Sequence, residues 1–117
     1  MSSKLLIYIG ENEKFDVART TEVISSIVGT SDAKLENFIG AIFECNYTFQ
    51  DRTTIVRISE ELKTVTVEGL GVESLNFALE FQRMMSCALH AIDMEYSFDV
   101  DLRNFQSIED LMSAIDA

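Results

Sequence analysis

Three side chains in this sequence could serve as a nucleophile or its base: Cys45, Cys87 and His90. Cys87 precedes His90 by three residues, a spacing at which two side chains meet on one helix face. A reactive thiol needs a lowered pKa and an oriented partner group. The chain carries twenty Asp and Glu against nine Lys and Arg, a formal net charge of −11, and such surroundings favour the neutral thiol. A histidine near a helix C-terminus is already favoured there by the helix dipole. No catalytic residue is therefore expected. Gly69-Leu70-Gly71 falls between a strand-like and a helix-like segment, where phosphate loops occur. It lacks the Gly-Lys-Ser/Thr ending of a P-loop, and Val72-Glu73-Ser74 sets a carboxylate where an anion would sit. A plain turn is the expectation, with no nucleotide or other cofactor. One His, two widely separated Cys and no calcium-loop pattern predict no metal site.

Carboxylates remain as the chemistry-bearing groups. Acid pairs cleave glycosides when one is held protonated in an apolar site while the other stays ionised. Glu44 stands alone on its strand, and the acids between Glu95 and Asp101 read as solvent-facing. Glu95, Asp99 and Asp101 occupy alternating positions, so on a strand they share one face, opposite Tyr96, Phe98 and Val100. Asp93 lies just before them. This stripe has two readings: a solvated face whose charge discourages edge-to-edge aggregation, or a docking surface for a basic partner, where placed charge speeds association. The candidate partner-binding residues are Asp93, Glu95, Asp99, Asp101, Glu60 and Glu61, with Glu73 and Glu80 on a rival edge.

The elements that position these groups belong to one domain, 1–117. Its hydrophobic content of 47% suffices for a packed core. The negative charge repels nucleic acid and anionic membranes and attracts basic surfaces. Met1 to Ile9 does not read as a signal peptide, and no apolar run approaches the roughly 18 residues of a membrane span. Reduced cysteines and a cytoplasmic location follow as expectations.

Lys4–Ile9 reads as a strand buried on both faces and closed by Gly10-Glu11-Asn12-Glu13. Helical periodicity from about Phe15 to Val28 puts Val17, Thr21, Ile24 and Val28 on one face, ending at Gly29. The mixed segment Thr30–Asn37 reads as a loop. Phe43, Cys45, Tyr47 and Phe49 alternate with polar residues. Thr53–Ser59 and Lys63–Glu68 are rich in β-branched residues, with turns at Gln50-Asp51-Arg52 and Glu60-Glu61. Val72 to about Leu89 reads as the longest helix. Phe77, Phe81, Met84 and Ala88 lie on one side, Leu75 and Leu79 nearly opposite, and Glu73, Asn76, Glu80, Arg83 and Cys87 along a polar edge. So wide an apolar surface requires cover on more than one side. Glu95–Asp101 reads as a last strand. Ser107-Ile108-Glu109-Asp110 opens a terminal helix with Ile108, Leu111, Met112 and Ile115 as its stripe. The expected class is α+β, a five-stranded, mostly antiparallel sheet in the order β-α-β-β-β-α-β-α.

From Glu68 to Ile115 the sequence resembles small acidic bacterial immunity proteins of contact-dependent and polymorphic toxin systems. The likeness is carried by Glu68-Gly69-Leu70-Gly71 leading into Glu73–Gln82, then Ile92–Val100 leading into Ser107–Leu111. The resemblance implies a non-catalytic protein that binds a cognate toxin domain, often a nuclease, and covers its active site or an exosite. It transfers no individual contact residues. A basic nuclease site and an acidic protein are complementary on charge grounds alone. The alternative is an acidic regulatory or adaptor module, or a nucleic-acid-mimicking inhibitor of another basic protein.

Overall fold

Alternation of period two puts every second residue of a strand on the same side, and in the central strands of this chain one of those sides is mainly apolar. The computed structural model describes residues 4–10, 13–38 and 40–116; Met1–Ser3, Glu11-Asn12, Ile39 and Ala117, which the expected domain 1–117 includes, lie outside the described residues. The strands are β1 (Lys4–Tyr8), β2 (Thr30–Phe38), β3 (Ala41–Phe49), β4 (Arg52–Ser59), β5 (Thr64–Glu68), β6 (His90–Asp93) and β7 (Asp99–Asp101). The helices are α1 (Val17–Ser26), α2 (Val72–Met84) and α3 (Ile108–Asp116), with a single 3-10 turn at Leu102–Asn104. The seven strands form one sheet in the order β2-β3-β4-β5-β1-β6-β7, and every neighbouring pair is antiparallel.

The α+β class holds, but the five-stranded expectation is corrected to seven strands in the order β-α-β-β-β-β-α-β-β-α. β2 is the segment read as a loop. It is an edge strand with register breaks between Ser31 and Lys34 and between Leu35 and Phe38, and Asp32 takes a φ of 53°. An edge strand so interrupted has no sustained buried face, so its sequence shows no alternation. β6 is a segment the sequence pattern assigns to no element, and the long helix before it, expected to run to about Leu89, stops at Met84. Gln82 terminates it: its side chain donates to the Cys87 carbonyl at 2.9 Å and accepts from the Leu89 amide at 2.7 Å, holding an extended connection.

The helices cover one face of the sheet. Leu5 and Ile7, Phe43, Cys45 and Tyr47, Val56 and Ile58, Val65 and Val67, and Ala91 point into it and are buried. α1 contributes Thr20, Val23 and Ile24, followed by Ile27, so of the expected face of Val17, Thr21, Ile24 and Val28, Ile24 alone is buried. The helix ends before Val28, which is 92% exposed. Gly29 follows with φ 109°, and a Cβ there would lie 2.5 Å from the Thr48 carbonyl oxygen, so the approach to β3 requires glycine. α2 buries Phe77 and Phe81 as well as Leu75 and Leu79. Its second apolar side is met by its own chain, through α3 and the 3-10 turn. Leu111 is the buried anchor of α3, and Ser107 Oγ accepts from the Asp110 amide as the expected cap.

The opposite face of the sheet carries Lys4, Leu6 and Tyr8; Glu44; Arg57; Thr64, Thr66 and Glu68; His90 and Ile92; and Asp99 and Asp101. No helix among the described residues lies on it. β1 is therefore buried on one face only, since Lys4, Leu6 and Tyr8 remain half-buried.

Candidate functional site

The six acids singled out from sequence do not form one stripe. Asp93 ends β6 on the helix-covered side and is 9% exposed. Its carboxylate accepts from the Ser97 amide at 2.7 Å and from the Ser97 hydroxyl, while its carbonyl accepts from the Tyr96 amide at 3.2 Å. Those bonds from Ser97 hold the Asp93 carboxyl below the usual carboxylate range. Asp93 is thus the organiser of a turn.

That turn, Met94–Phe98, replaces the first half of the expected strand. Glu95 sits in it, exposed. Tyr96 was expected to face the core with Phe98 and Val100. Phe98 is buried and Val100 half-buried, but Tyr96 is 77% exposed and adopts φ 57°. A left-handed conformation at a non-glycine residue costs on the order of 1–3 kcal/mol. The Asp93–Ser97 bonds impose it.

Asp99 and Asp101 do share a face, opposite Ile92 and His90 respectively. Asp101 is committed locally: it accepts from the Arg103 amide at 2.9 Å and pairs with the Arg103 guanidinium at 3.1 Å, which lowers its carboxyl pKa. Asp99 stays accessible, with its side chain 59% exposed. It accepts a hydrogen bond from the Tyr8 hydroxyl, at 3.0 and 2.9 Å to its two oxygens, and His90 Nδ1 lies 3.8 Å away. His90 stacks on Tyr8 at a centroid distance of 5.3 Å. Cys87 packs against the apolar core on the helix side, whereas His90 projects from the open face. The structure does not bring this pair together as a nucleophile and base.

Glu60 and Glu61 are exposed on the turn between β4 and β5. Thr64 pairs with Tyr8, and Tyr8 with His90, whereas Asp93 pairs with Leu5. The two glutamates therefore project from the sheet end opposite Glu95. Further along the open face, Glu44, Arg57, Glu68 and Lys4 form a charge-balanced ladder across four strands, with contacts of 2.8, 3.2 and 3.7 Å. Among the described residues no cluster of three or more His, Cys, Asp or Glu could hold a metal ion. No helix among the described residues is long and apolar enough to cross a membrane.

Two concavities are lined in part by aromatic residues. One, about 370 Å³, lies between the end of α1 and α2 and is lined by Val28, Tyr47, Phe49, Asn76, Glu80 and Met84. Its polar groups are already matched: Asn76 donates to the Tyr47 hydroxyl at 2.6 Å, and Glu80 pairs with Arg83. The other, also about 370 Å³, lies on the open face between Leu6, Tyr8, Thr64, Ile92, Tyr96 and Asp99. Sequence reasoning missed Tyr8 and Tyr96 as surface residues. The signals were the polar Lys4 at the start of the Lys4-Leu6-Tyr8 series and the spacing of Asp93 and Ser97, which suits an aspartate-closed turn.

No family model, curated protein or solved structure matches this chain.

Proposed function

We propose that this protein is a non-catalytic binding protein that neutralises a cognate bacterial toxin domain, a nuclease, by tight association through an acidic surface. The observation that carries this reading is the uncovered face of the sheet. Three helices pack on one side, and the other presents an aromatic and aliphatic patch around an accessible carboxylate, in a chain of net charge −11. Aromatic residues at the centre of a patch and charge at its rim are the composition of protein interfaces. A nuclease site is basic because it holds phosphates, so an acidic protein is drawn to it and competes with its substrate. The resemblance of Glu68–Ile115 to immunity proteins points to the same class of partner.

The experiment is co-expression with candidate nuclease toxin domains. Cells making the toxin domain are expected to grow only when this protein is present, and the purified pair to form a complex whose association slows as salt rises. Absence of both rescue and complex overturns the proposal.

A further inference from the structure

We propose that the cleft between Tyr8, Tyr96 and Asp99 is an anchor site for a single arginine side chain of a protein partner. The inference rests on the reading of the protein as a binding module, and adds to it the place and chemistry of the contact. Leu6 and Ile92 face each other across β1 and β6 and form an apolar floor. Tyr8 and Tyr96 line the cleft, and the Asp99 carboxylate lies at its margin. An arginine presents the matching sequence of groups. Its methylene stem suits the aliphatic floor, its guanidinium stacks on aromatic faces, and its N–H fork bonds a carboxylate.

Three independent features favour a cationic occupant. The Tyr8 hydroxyl is the hydrogen-bond donor to Asp99, and a carboxylate with about four acceptor positions keeps capacity for a guanidinium. The permanent cations Lys4 and Arg57 on this face are engaged by Glu68 and Glu44, so neither neutralises Asp99, and the basic group beside it is the single imidazole of His90 at 3.8 Å. Glu95 is exposed on the same turn as Tyr96 and extends the negative field past the rim. The turn itself is built to display the ring: Tyr96 is held in a left-handed conformation by the Asp93–Ser97 bonds, and its side chain lies out of the core. Holding the ring in place before binding reduces the ordering cost of association.

The test is a titration of the ¹⁵N-labelled protein with a capped Gly-Arg-Gly peptide, with Gly-Lys-Gly and Gly-Gln-Gly in parallel. Saturable shifts are expected at Tyr8, Ile92, Tyr96 and Asp99 in the millimolar range, weaker with lysine and absent with glutamine. Tyr96→Ala and Asp99→Asn should each weaken the arginine peptide at least fivefold, while Glu109→Gln should leave it unchanged. Equal shifts at Glu60, Glu61, Glu109 and Asp110, or full binding by Tyr96→Ala, would overturn the site. Asp99→Asn retains an acceptor for Tyr8, and an unaltered fingerprint spectrum establishes that each variant is folded. If these variants also keep full affinity for a toxin domain that the wild type neutralises, the anchor fails while the toxin reading stands. If the arginine peptide binds as described but no toxin domain does, the anchor stands and the toxin reading fails.

Discussion

Tyr8 and Asp99, 91 residues apart in sequence, are joined by a hydrogen bond that spans the intervening strand β6. β7 is only three residues long and forms an edge of the sheet, so side-chain ties from beyond its neighbour contribute to its position. Tyr8→Phe removes the donor and leaves an exposed carboxylate that water can satisfy. The expected cost is therefore small, about 0.5–1.5 kcal/mol. Faster amide exchange should be confined to Asp99–Asp101. A loss spread evenly over the whole sheet would show that the bond does not act locally on β7.

The centre of the fold is less forgiving. Phe81 is fully buried and packs against Phe15 and Phe77 at ring-centroid distances of 5.9 and 5.6 Å. Phe81→Ala should cost about 3–5 kcal/mol, a large part of the stability of a domain this size. An unmoved denaturant midpoint would contradict the placement of α2.

Much of this core was legible. The alternation of Phe43, Cys45 and Tyr47 and the β-branched runs around Val56 and Val65 gave β3, β4 and β5 directly, because these strands have partners on both sides and one fully buried face. The termini of the sheet are less legible for the same physical reason in reverse. β2 is bulged and has a partner on one side only, so it shows no sustained burial and reads as a loop, whereas β7 is found as the second half of the strand expected over Glu95–Asp101. Met85–Leu89 looks helical because Phe77, Phe81 and Met84 extend a helical period towards Ala88, and the break depends on a side chain, Gln82, that bonds the backbone five and seven residues on. The grouping of Glu95, Asp99 and Asp101 follows from strand parity. Once Asp93 closes a turn, that parity no longer applies to Glu95 and Tyr96, and the aromatic ring becomes surface.

Cysteine chemistry separates the two thiols. Burial, and secondarily Glu44, push the Cys45 thiol up to about 12. Its thiolate is then scarce at pH 8, and the thiolate is the reacting form. Iodoacetamide should leave Cys45 unmodified in the native protein and modify it once the chain is unfolded. Peptide mapping reads the site. Native modification of Cys45 at the unfolded rate would place it outside the core.

The turn that displays Tyr96 should loosen in acid. Hydrogen bonds from Ser97 lower the Asp93 pKa in the folded state. The stabilisation is thus complete above the ordinary aspartate pKa of about 3.9 and is lost as pH falls from there through the lower folded value. The Ser97 amide shift should report that transition, and Asp93→Asn should abolish it. A Ser97 resonance that titrates identically in the variant would assign the effect to another group.

The acidic rim makes the last prediction. Replacing Glu95, Asp99 and Asp101 together with Gln, Asn and Asn removes three charges and keeps hydrogen-bond acceptors for Tyr8 and Arg103. The fold should survive, with a stability change within about 1 kcal/mol, since the bonds replaced are exposed. Association with the toxin domain should slow roughly tenfold at low ionic strength, and the two proteins should converge as salt screens the field. Because Asp101 is paired with Arg103, most of the effect should persist when only Glu95 and Asp99 are changed. Stopped-flow association rates against ionic strength, for wild type, triple and double variants, separate the contributions. Superimposable rates at every salt concentration would leave Glu95, Asp99 and Asp101 as a solvated face and direct attention to Glu60 and Glu61 at the other end of the sheet.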